Sequence, residues 1–243
     1  MKIVLFSIFG FNVYSHGVFL VLAAVVGGWI LFRLAKKEKF ETKNFFANYL
    51  TSVVIGLVAS RVLFYLINLK YYQTFWQIVE IWQGGLISFA GFIAGAAAFL
   101  LILKKQKQSL EPWVEIAGVV FPLAIAIGRV GCVLNGEFGI RTKSIFAIYG
   151  YMPVTLLELL ACIVIFVINF YLYLNFRARL PKYFLFFNFA IIYLFTRIFI
   201  DTYRIDDALA IGINLSQLTS LVLLVVSILT FGYLCLKGKM RLE

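Results

Sequence analysis

The sequence predicts an all-α integral membrane protein of seven transmembrane helices, N-terminus outside and C-terminus cytoplasmic. Of its 243 residues, 63% are hydrophobic and only 14% are charged, whereas a soluble domain carries about a quarter charged residues. Seven apolar runs approach the roughly 20 residues that cross a bilayer as a helix. Short basic clusters separate several of these runs, as is typical of the loops of membrane proteins.

The seven runs are expected to be helical because a helix satisfies its own backbone polar groups in lipid. The first run is followed by the basic stretch RLAKKEKFETK, the third by KKQKQ and the last by KGKMR. No polar stretch is long enough to fold separately, so the chain is predicted to be a single domain, residues 1–243. The predicted spans are residues 13–34, 45–68, 85–103, 112–133, 151–175, 183–201 and 213–236.

The distribution of basic residues predicts the orientation. Fourteen of the 22 Lys and Arg residues lie in one set of alternate connections and in the C-terminal tail, and five lie in the other set. By the positive-inside rule the basic set is cytoplasmic, so residues 104–107 are inside and residues 134–150 and 202–212 outside. The net charge of +11 is thus explained by lipid headgroups, and no nucleic-acid partner is expected.

The remaining three basic residues, Arg61, Arg129 and Arg197, lie inside predicted spans, each in the outer half. An arginine in a span is costly, so it snorkels, pairs with an acid or binds a ligand. Three at similar depth favour an anionic ligand, such as a lipid phosphate, over snorkelling alone. Glu158 lies seven residues into span five, which is roughly 10 Å of helix, and so is predicted at the same depth.

The stretch GRVGCVLNGEFG, residues 128–139, places an arginine and an acid beside several glycines. Glycine allows the backbone to approach a headgroup, and Arg129 would neutralise its charge. Asn135 and Gly136 lie in the same stretch beside Glu137, and Asn135 also suits the end of a helix. The three cysteines have neither disulfide nor metal-ligand spacing, so no metal site and no cofactor is predicted.

This stretch resembles the signature Gly-Arg-x-Gly-Asn-Phe-x-Asn-x-Glu of the bacterial prolipoprotein diacylglyceryl transferases. Five further segments resemble the family in the correct order: NVYSHGVFLVLA, ASRVLFYLIN, WQGGLISFAGFIAG, MPVTLLE and TRIFIDTYRIDD. The opening of the last span, LSQLTSL, is also similar. The resemblance covers almost the whole chain.

The resemblance implies transfer of a diacylglyceryl group from phosphatidylglycerol to the lipobox cysteine of a prolipoprotein, with release of glycerol 1-phosphate. It implies a location in the bacterial cytoplasmic (inner) membrane, among membrane lipids, and no cofactor. Carried onto this sequence, it makes Arg129, Arg197, Glu137 and His16 the catalytic candidates. The lipid-binding candidates are Arg129, Arg197, Arg61, Asn135, Gly136, Asp201, Glu158, Gly84, Gly85 and Arg204.

The chain departs from the family pattern at positions that matter for chemistry. Ala90 stands where the family carries a histidine, and Cys132 stands where the signature has asparagine. His16, the only histidine, is either an interfacial residue or a replacement base, because imidazole titrates near neutral pH.

Two alternatives to the transferase remain open from sequence. One is a paralogue that binds phospholipid but has changed its acceptor or lost catalysis, which Ala90 and Cys132 favour. The other is a small anion transporter, but such proteins are typically built from paired repeats with broken helices, and no such repeat is visible.

Overall fold

A computed structural model describes residues 4–8, 11–72, 74–80, 85–204 and 214–239. Within them the chain forms seven long helices, as predicted. Each begins and ends within three residues of its predicted span. They are α1 (Ser15–Lys37), α2 (Phe45–Ile67), α3 (Ser88–Lys105), α4 (Leu110–Leu134), α5 (Val154–Phe176), α6 (Phe184–Asp201) and α7 (Leu215–Lys239).

Six of these helices, all but α3, are long and apolar enough to cross a membrane, counted over the described residues. Large apolar side chains are exposed along them; Val21, Leu229 and Leu236 are examples. In water such a surface would be unfavourable, whereas in a bilayer it contacts acyl chains. The chain is therefore a multi-pass membrane protein, and the seventh crossing by α3 stays a prediction.

A short β-hairpin precedes α1 and was not predicted from the sequence. Strand β1 (Val4–Ile8) pairs antiparallel with β2 (Phe11–Tyr14), and Ile8 lies opposite Phe11. Both strands are rich in β-branched and aromatic residues, which favour extended backbone. The apolar composition of this segment is compatible with a helix as well, which is why composition alone did not reveal the hairpin.

The chain divides into two compact units, Phe32–Leu110 on the one hand and Met1–Leu31 with Glu111–Glu243 on the other. In the first unit α2 packs on α3, with Gly91 and Gly95 lying against the backbone of Gly56 and Ser52. The G-x-x-x-G spacing of Gly91 and Gly95 thus serves helix packing. In the other unit α6 packs against both α5 and α7, and a polar cluster lies where these helices meet.

Candidate active site

Glu158 of α5 is the centre of a cluster of three arginines and a tyrosine. Its Oε1 accepts hydrogen bonds from Arg129 Nη2 of α4, Arg197 Nη1 of α6 and the Tyr193 hydroxyl, each at 2.8 Å. Arg204 Nη2, beyond the end of α6, lies 3.3 Å from Oε2. A carboxylate with two oxygens can accept about four such bonds. One buried acid therefore determines where three guanidinium groups lie.

Asp201, at the end of α6, holds two of the same arginines from the other side. Its Oδ2 lies 3.2 Å from Arg197 Nε, and its Oδ1 lies 3.0 Å from Arg204 Nε. The contact with Arg204 is an ion pair whose atoms are not aligned as a hydrogen bond. Ser216 of α7 donates to Oδ2, and Asn214 Nδ2 donates to the Asp201 carbonyl at 2.9 Å. These contacts tie the start of α7 to the end of α6.

The cluster carries one net positive charge, because three guanidinium groups face two carboxylates. The side chains of Glu158 and Asp201 are 2% and 0% exposed, whereas those of Arg129, Arg197 and Arg204 are 20%, 19% and 23% exposed. The acids thus lie behind the arginines, which keep part of their surface accessible. Each guanidinium has five N–H donors, so the arrangement suits the binding of an oxyanion.

A second group of polar side chains lies beside Arg129. Cys132, one helical turn further along α4, is buried, and its Sγ lies 3.8 Å from Arg129 Nη1 and 3.4 Å from Nδ1 of His16. One ligand atom each of His16, Cys132 and Glu137 lies within 4.8 Å of the others. The sequence spacing predicted no metal-ligand cluster, because His16 lies 116 positions before Cys132 in the chain.

The backbone explains why Glu137 returns to Cys132. At the end of α4 the Gly136 N–H donates to the Val133 carbonyl, and the Glu137 N–H donates to the Cys132 carbonyl. This is the Schellman pattern, which needs a left-handed residue after the helix. Gly136 supplies it with φ +67°, a conformation that glycine adopts without a steric cost.

The start of α1 reaches the end of α4 because Gly131 has no side chain. A Cβ at Gly131 would lie 2.9 Å from the Cα of His16, which is closer than real contacts allow. Ser15 Oγ donates to Asn135 Oδ1 at 2.7 Å and fastens the two ends together. Asn135 therefore positions the site in this structure, and a direct lipid contact by Asn135 stays a prediction.

Arg61 has a different set of partners from those expected. It is buried, and within its own unit it donates to the carbonyls of Gln77, Ile78, Glu80 and Gly85. These bonds organise the backbone that leads into α3. A phosphate contact by Arg61 or Gly85 stays a prediction, and Gly84 lies outside the described residues.

The acid that pairs with Arg129 differs from the expectation. Arg129 and Arg197 were expected to hold a lipid phosphate, with Glu137 and Asp201 orienting them. Asp201 does pair with Arg197, but among the described residues the ion pair of Arg129 is with Glu158. Glu137 is exposed, near Cys132 and His16.

Sequence reasoning missed Tyr193, Asn214 and Ser216 as members of the cluster. A signal for Tyr193 was present, since Tyr193, Arg197 and Asp201 are spaced i, i+4, i+8 and so share one face of α6. Ser216 and Asn214 carried no such signal, because their contacts depend on how α7 packs against α6.

The fold and the site together define a class of protein. It is a multi-pass membrane protein in which buried acids orient arginines that suit an anionic ligand. The family model of the prolipoprotein diacylglyceryl transferases matches residues 3–233. Among named relatives, the phosphatidylglycerol–prolipoprotein diacylglyceryl transferase of Thermotoga maritima is 28% identical over 96% of this chain and 84% of the relative. The relative from Finegoldia magna is 26% identical over 94% of both chains. One from Clostridium perfringens is 25% identical over 99% of this chain and 97% of the relative.

The chain belongs to the prolipoprotein diacylglyceryl transferase family and is a transferase of lipoprotein biosynthesis. This confirms the family resemblance noted in the sequence. The comparisons do not favour the non-catalytic paralogue or the anion transporter.

Proposed function

We propose that this protein transfers the diacylglyceryl group of phosphatidylglycerol to the lipobox cysteine of prolipoproteins, in the cytoplasmic membrane of a bacterium. The observation that carries the proposal is the cluster around Glu158. It combines buried acids, partly exposed arginines and a net charge of +1, as binding of an anionic phosphodiester requires.

Arg129 and Arg197 are the proposed phosphate ligands, and Arg204 assists them. Arg129 and Arg197 share Glu158 Oε1 at 2.8 Å each, so their guanidinium groups are held side by side before a lipid arrives. Such preorganised donors stabilise developing negative charge without reorganising during the reaction. Glu158 and Asp201 are positioning residues in this scheme.

The proposed chemistry is a substitution at the glyceryl carbon that carries the phosphate. The acceptor thiol loses its proton, the sulfur forms a C–S bond, and the C–O bond to the phosphate breaks. The electron pair of that bond leaves with glycerol 1-phosphate, and the proton goes to the phosphate or to water. The arginines act as the C–O bond breaks, when negative charge accumulates on the departing phosphate oxygens.

The chain departs from its family's pattern at the residue expected to ionise the acceptor thiol. Ala90 stands where the family carries a histidine, and alanine cannot accept a proton. His16 is the proposed replacement. Its side chain is exposed next to Cys132, one helical turn along α4 from the phosphate ligand Arg129. The thiol of a free cysteine has a pKa of about 8.5, so a positive field would increase its thiolate fraction at neutral pH.

The direct test supplies the purified protein with phosphatidylglycerol and a lipobox peptide. The expected result is a peptide heavier by one diacylglyceryl group, formed together with glycerol 1-phosphate. A peptide whose lipobox cysteine is replaced by serine is the control and should stay unmodified. Bound phosphatidylglycerol without any lipidated peptide, at every pH tried, would contradict the proposal and favour a binding paralogue.

The rate of diacylglyceryl transfer by the native protein is expected to rise as the pH increases towards the pKa of the acceptor thiol, because the nucleophile is the thiolate. His16→Ala should lower the rate at neutral pH by about 10²–10⁴-fold, the usual loss on removing an acid–base group. Ala90→His in that background should restore part of it. A native rate in His16→Ala would show that His16 is only interfacial.

The proposed orientation places residues 134–150 outside and residues 104–107 in the cytoplasm. Lys143→Cys and Lys105→Cys should therefore react with a membrane-impermeant thiol reagent from opposite sides of the membrane. The unsubstituted protein, with its three native cysteines, measures the background. Labelling of both sites from one side would overturn the orientation and, with it, the assignment of the site to the outer leaflet.

A further inference from the structure

The cluster of His16, Cys132 and Glu137 has the composition and spacing of a transition-metal site. Thiolate, imidazole and carboxylate are three ligands that Zn²⁺ accepts. Their ligand atoms come from the first turn of α1, the last turn of α4 and the last residue of the Schellman turn, and they lie within 4.8 Å of one another.

The distance between Cys132 and His16 agrees with zinc coordination. Zinc binds sulfur at about 2.3 Å and imidazole nitrogen at about 2.0–2.1 Å in tetrahedral geometry. Two such ligands on one tetrahedral ion are then roughly 3.5 Å apart. The measured separation of Cys132 Sγ and His16 Nδ1 is 3.4 Å. Glu137 is an exposed residue on the turn, and its ligand atom lies within 4.8 Å of the other two, so its side chain has to close on the ion when a metal binds.

Two features of the backbone hold these residues in place without a metal. Gly131 permits the close approach of His16, and Gly136 turns Glu137 back over the helix end. Thr155 Oγ1 also donates to the Glu137 carbonyl at 2.9 Å. A preformed set of ligands reduces the entropy that metal binding would otherwise cost.

The geometry points to a zinc site in which Cys132, His16 and Glu137 are three ligands and the acceptor thiol of the prolipoprotein is the fourth. An open fourth position is characteristic of catalytic zinc sites. The inference rests on the proposed transferase function and specifies how the acceptor is activated. His16 then acts on the acceptor thiol through the metal and not as the free base described above, so in this scheme Ala90→His should not restore transfer to the His16→Ala variant.

The charges are compatible with a phosphate bound alongside. Before the acceptor binds, the Cys132 thiolate and the Glu137 carboxylate balance the two charges of Zn²⁺, and neutral His16 adds none. The bound acceptor thiolate then adds one negative charge, which the net positive charge of the neighbouring arginine cluster offsets. Arg129 Nη1, 3.8 Å from Cys132 Sγ, is placed to interact with the metal-bound sulfur as an outer partner.

In the reaction, the acceptor thiol binds zinc and loses its proton to water, because metal coordination stabilises the thiolate. The zinc-bound sulfur forms the C–S bond as the C–O bond to the phosphate breaks. The product thioether is neutral and a weaker ligand, so it leaves the metal. No electrons are exchanged with the zinc, which ends the cycle unchanged.

The test uses Co²⁺ as a spectroscopic substitute for zinc on the metal-stripped, full-length protein in detergent. The expected result is one Co²⁺ per chain, with the visible bands of a tetrahedral site and sulfur-to-metal charge transfer. Zn²⁺ should displace it. Addition of a lipobox peptide should shift the bands, whereas the peptide with serine in place of cysteine should not.

Cys132→Ser and His16→Ala should each weaken Co²⁺ binding by more than about 100-fold, the upper range for loss of a second-shell group alone. Cys235→Ser, the same change on α7 outside the cluster, should bind Co²⁺ as the native protein does. The charge-transfer band of the native protein reports thiolate ligation even if a variant fails to fold. Absence of that band, or binding unaltered by both ligand substitutions, would overturn the site.

The transfer assay separates the metal site from the proposed function. Removal of zinc should lower the rate by about 10²-fold or more, comparable to loss of a general base, and added Zn²⁺ should restore it. A full rate in metal-free protein would overturn the role of zinc while leaving the transferase intact. Cobalt bands of the expected kind with no transfer under any condition would instead refute the transferase proposal and leave the metal site standing.

Discussion

Arg129→Lys is expected to lower diacylglyceryl transfer by about 10²-fold although the positive charge is kept. The guanidinium of Arg129 donates to Glu158 at 2.8 Å and has further N–H groups for a phosphate. Lysine offers a point charge on a flexible stem and cannot make both sets of contacts in fixed directions. Loss of one preorganised donor to a developing oxyanion typically costs 10²–10³-fold in rate.

Arg141→Lys is the matched control, since it makes the same change on the exposed 134–150 connection. Arg141 lies over the ring of Tyr151, with its Cζ 5.4 Å from the ring centre, and a lysine can make a similar contact. The transfer rate of the Arg141→Lys variant should equal that of the native protein. The comparison is made by the lipidated-peptide assay with both proteins at matched thermal stability. Equal rates in the two variants would mean that Arg129 only packs the helices.

Glu158→Gln is expected to have the largest effect on stability, because one neutral amide would replace the acid that three arginines share. The side chain is 2% exposed, so its loss of charge removes the ion pair of Arg129 with Glu158 and leaves Asp201 as the one acid beside Arg197 and Arg204 among the described residues. Breaking a buried ion pair by removing one partner costs about 3–5 kcal/mol. Transfer should fall as well, since the two proposed phosphate ligands lose their common acceptor.

Glu111→Gln makes the same substitution in a pair that water screens. Glu111 contacts Lys182 at 2.8 Å, but the lysine is 77% exposed, and such pairs contribute at most about 1 kcal/mol. The free energy of unfolding in detergent micelles, measured for both variants, should therefore drop only for Glu158→Gln. Equal stabilities would contradict the prediction and show that the charge of Glu158 does not stabilise the fold.

Much of the helical architecture was predictable because hydrophobic length is a property of the local sequence. The seven runs correspond to seven helices with ends displaced by a few residues. The hairpin of Val4–Ile8 with Phe11–Tyr14 was missed, since a short apolar segment is compatible with either strand or helix. The basic loops predict an orientation through their electrostatics, and the labelling experiment tests it.

The proximity of Glu158 to two of the arginines was also predictable from sequence. Counting residues of helix placed Glu158 at the level of the arginines, and the structure places it in contact with Arg129 and Arg197. The same counting grouped Arg61 with them, yet Arg61 donates to backbone carbonyls of its own unit. Counting gives the height of a side chain but neither the face of the helix it lies on nor the neighbour it meets.

The sequence by itself therefore determined the class of protein, the helices, the family and the arginine-rich character of the site. Only the tertiary structure decided which acid holds which arginine, and that His16 lies beside Cys132 across 116 positions of chain. Hydropathy and helix length depend on neighbouring residues, whereas these contacts depend on the rotation and order of packed helices. Gly131 is an example, because the need for a residue without a side chain at this position arises only from the close packing of α1 against α4.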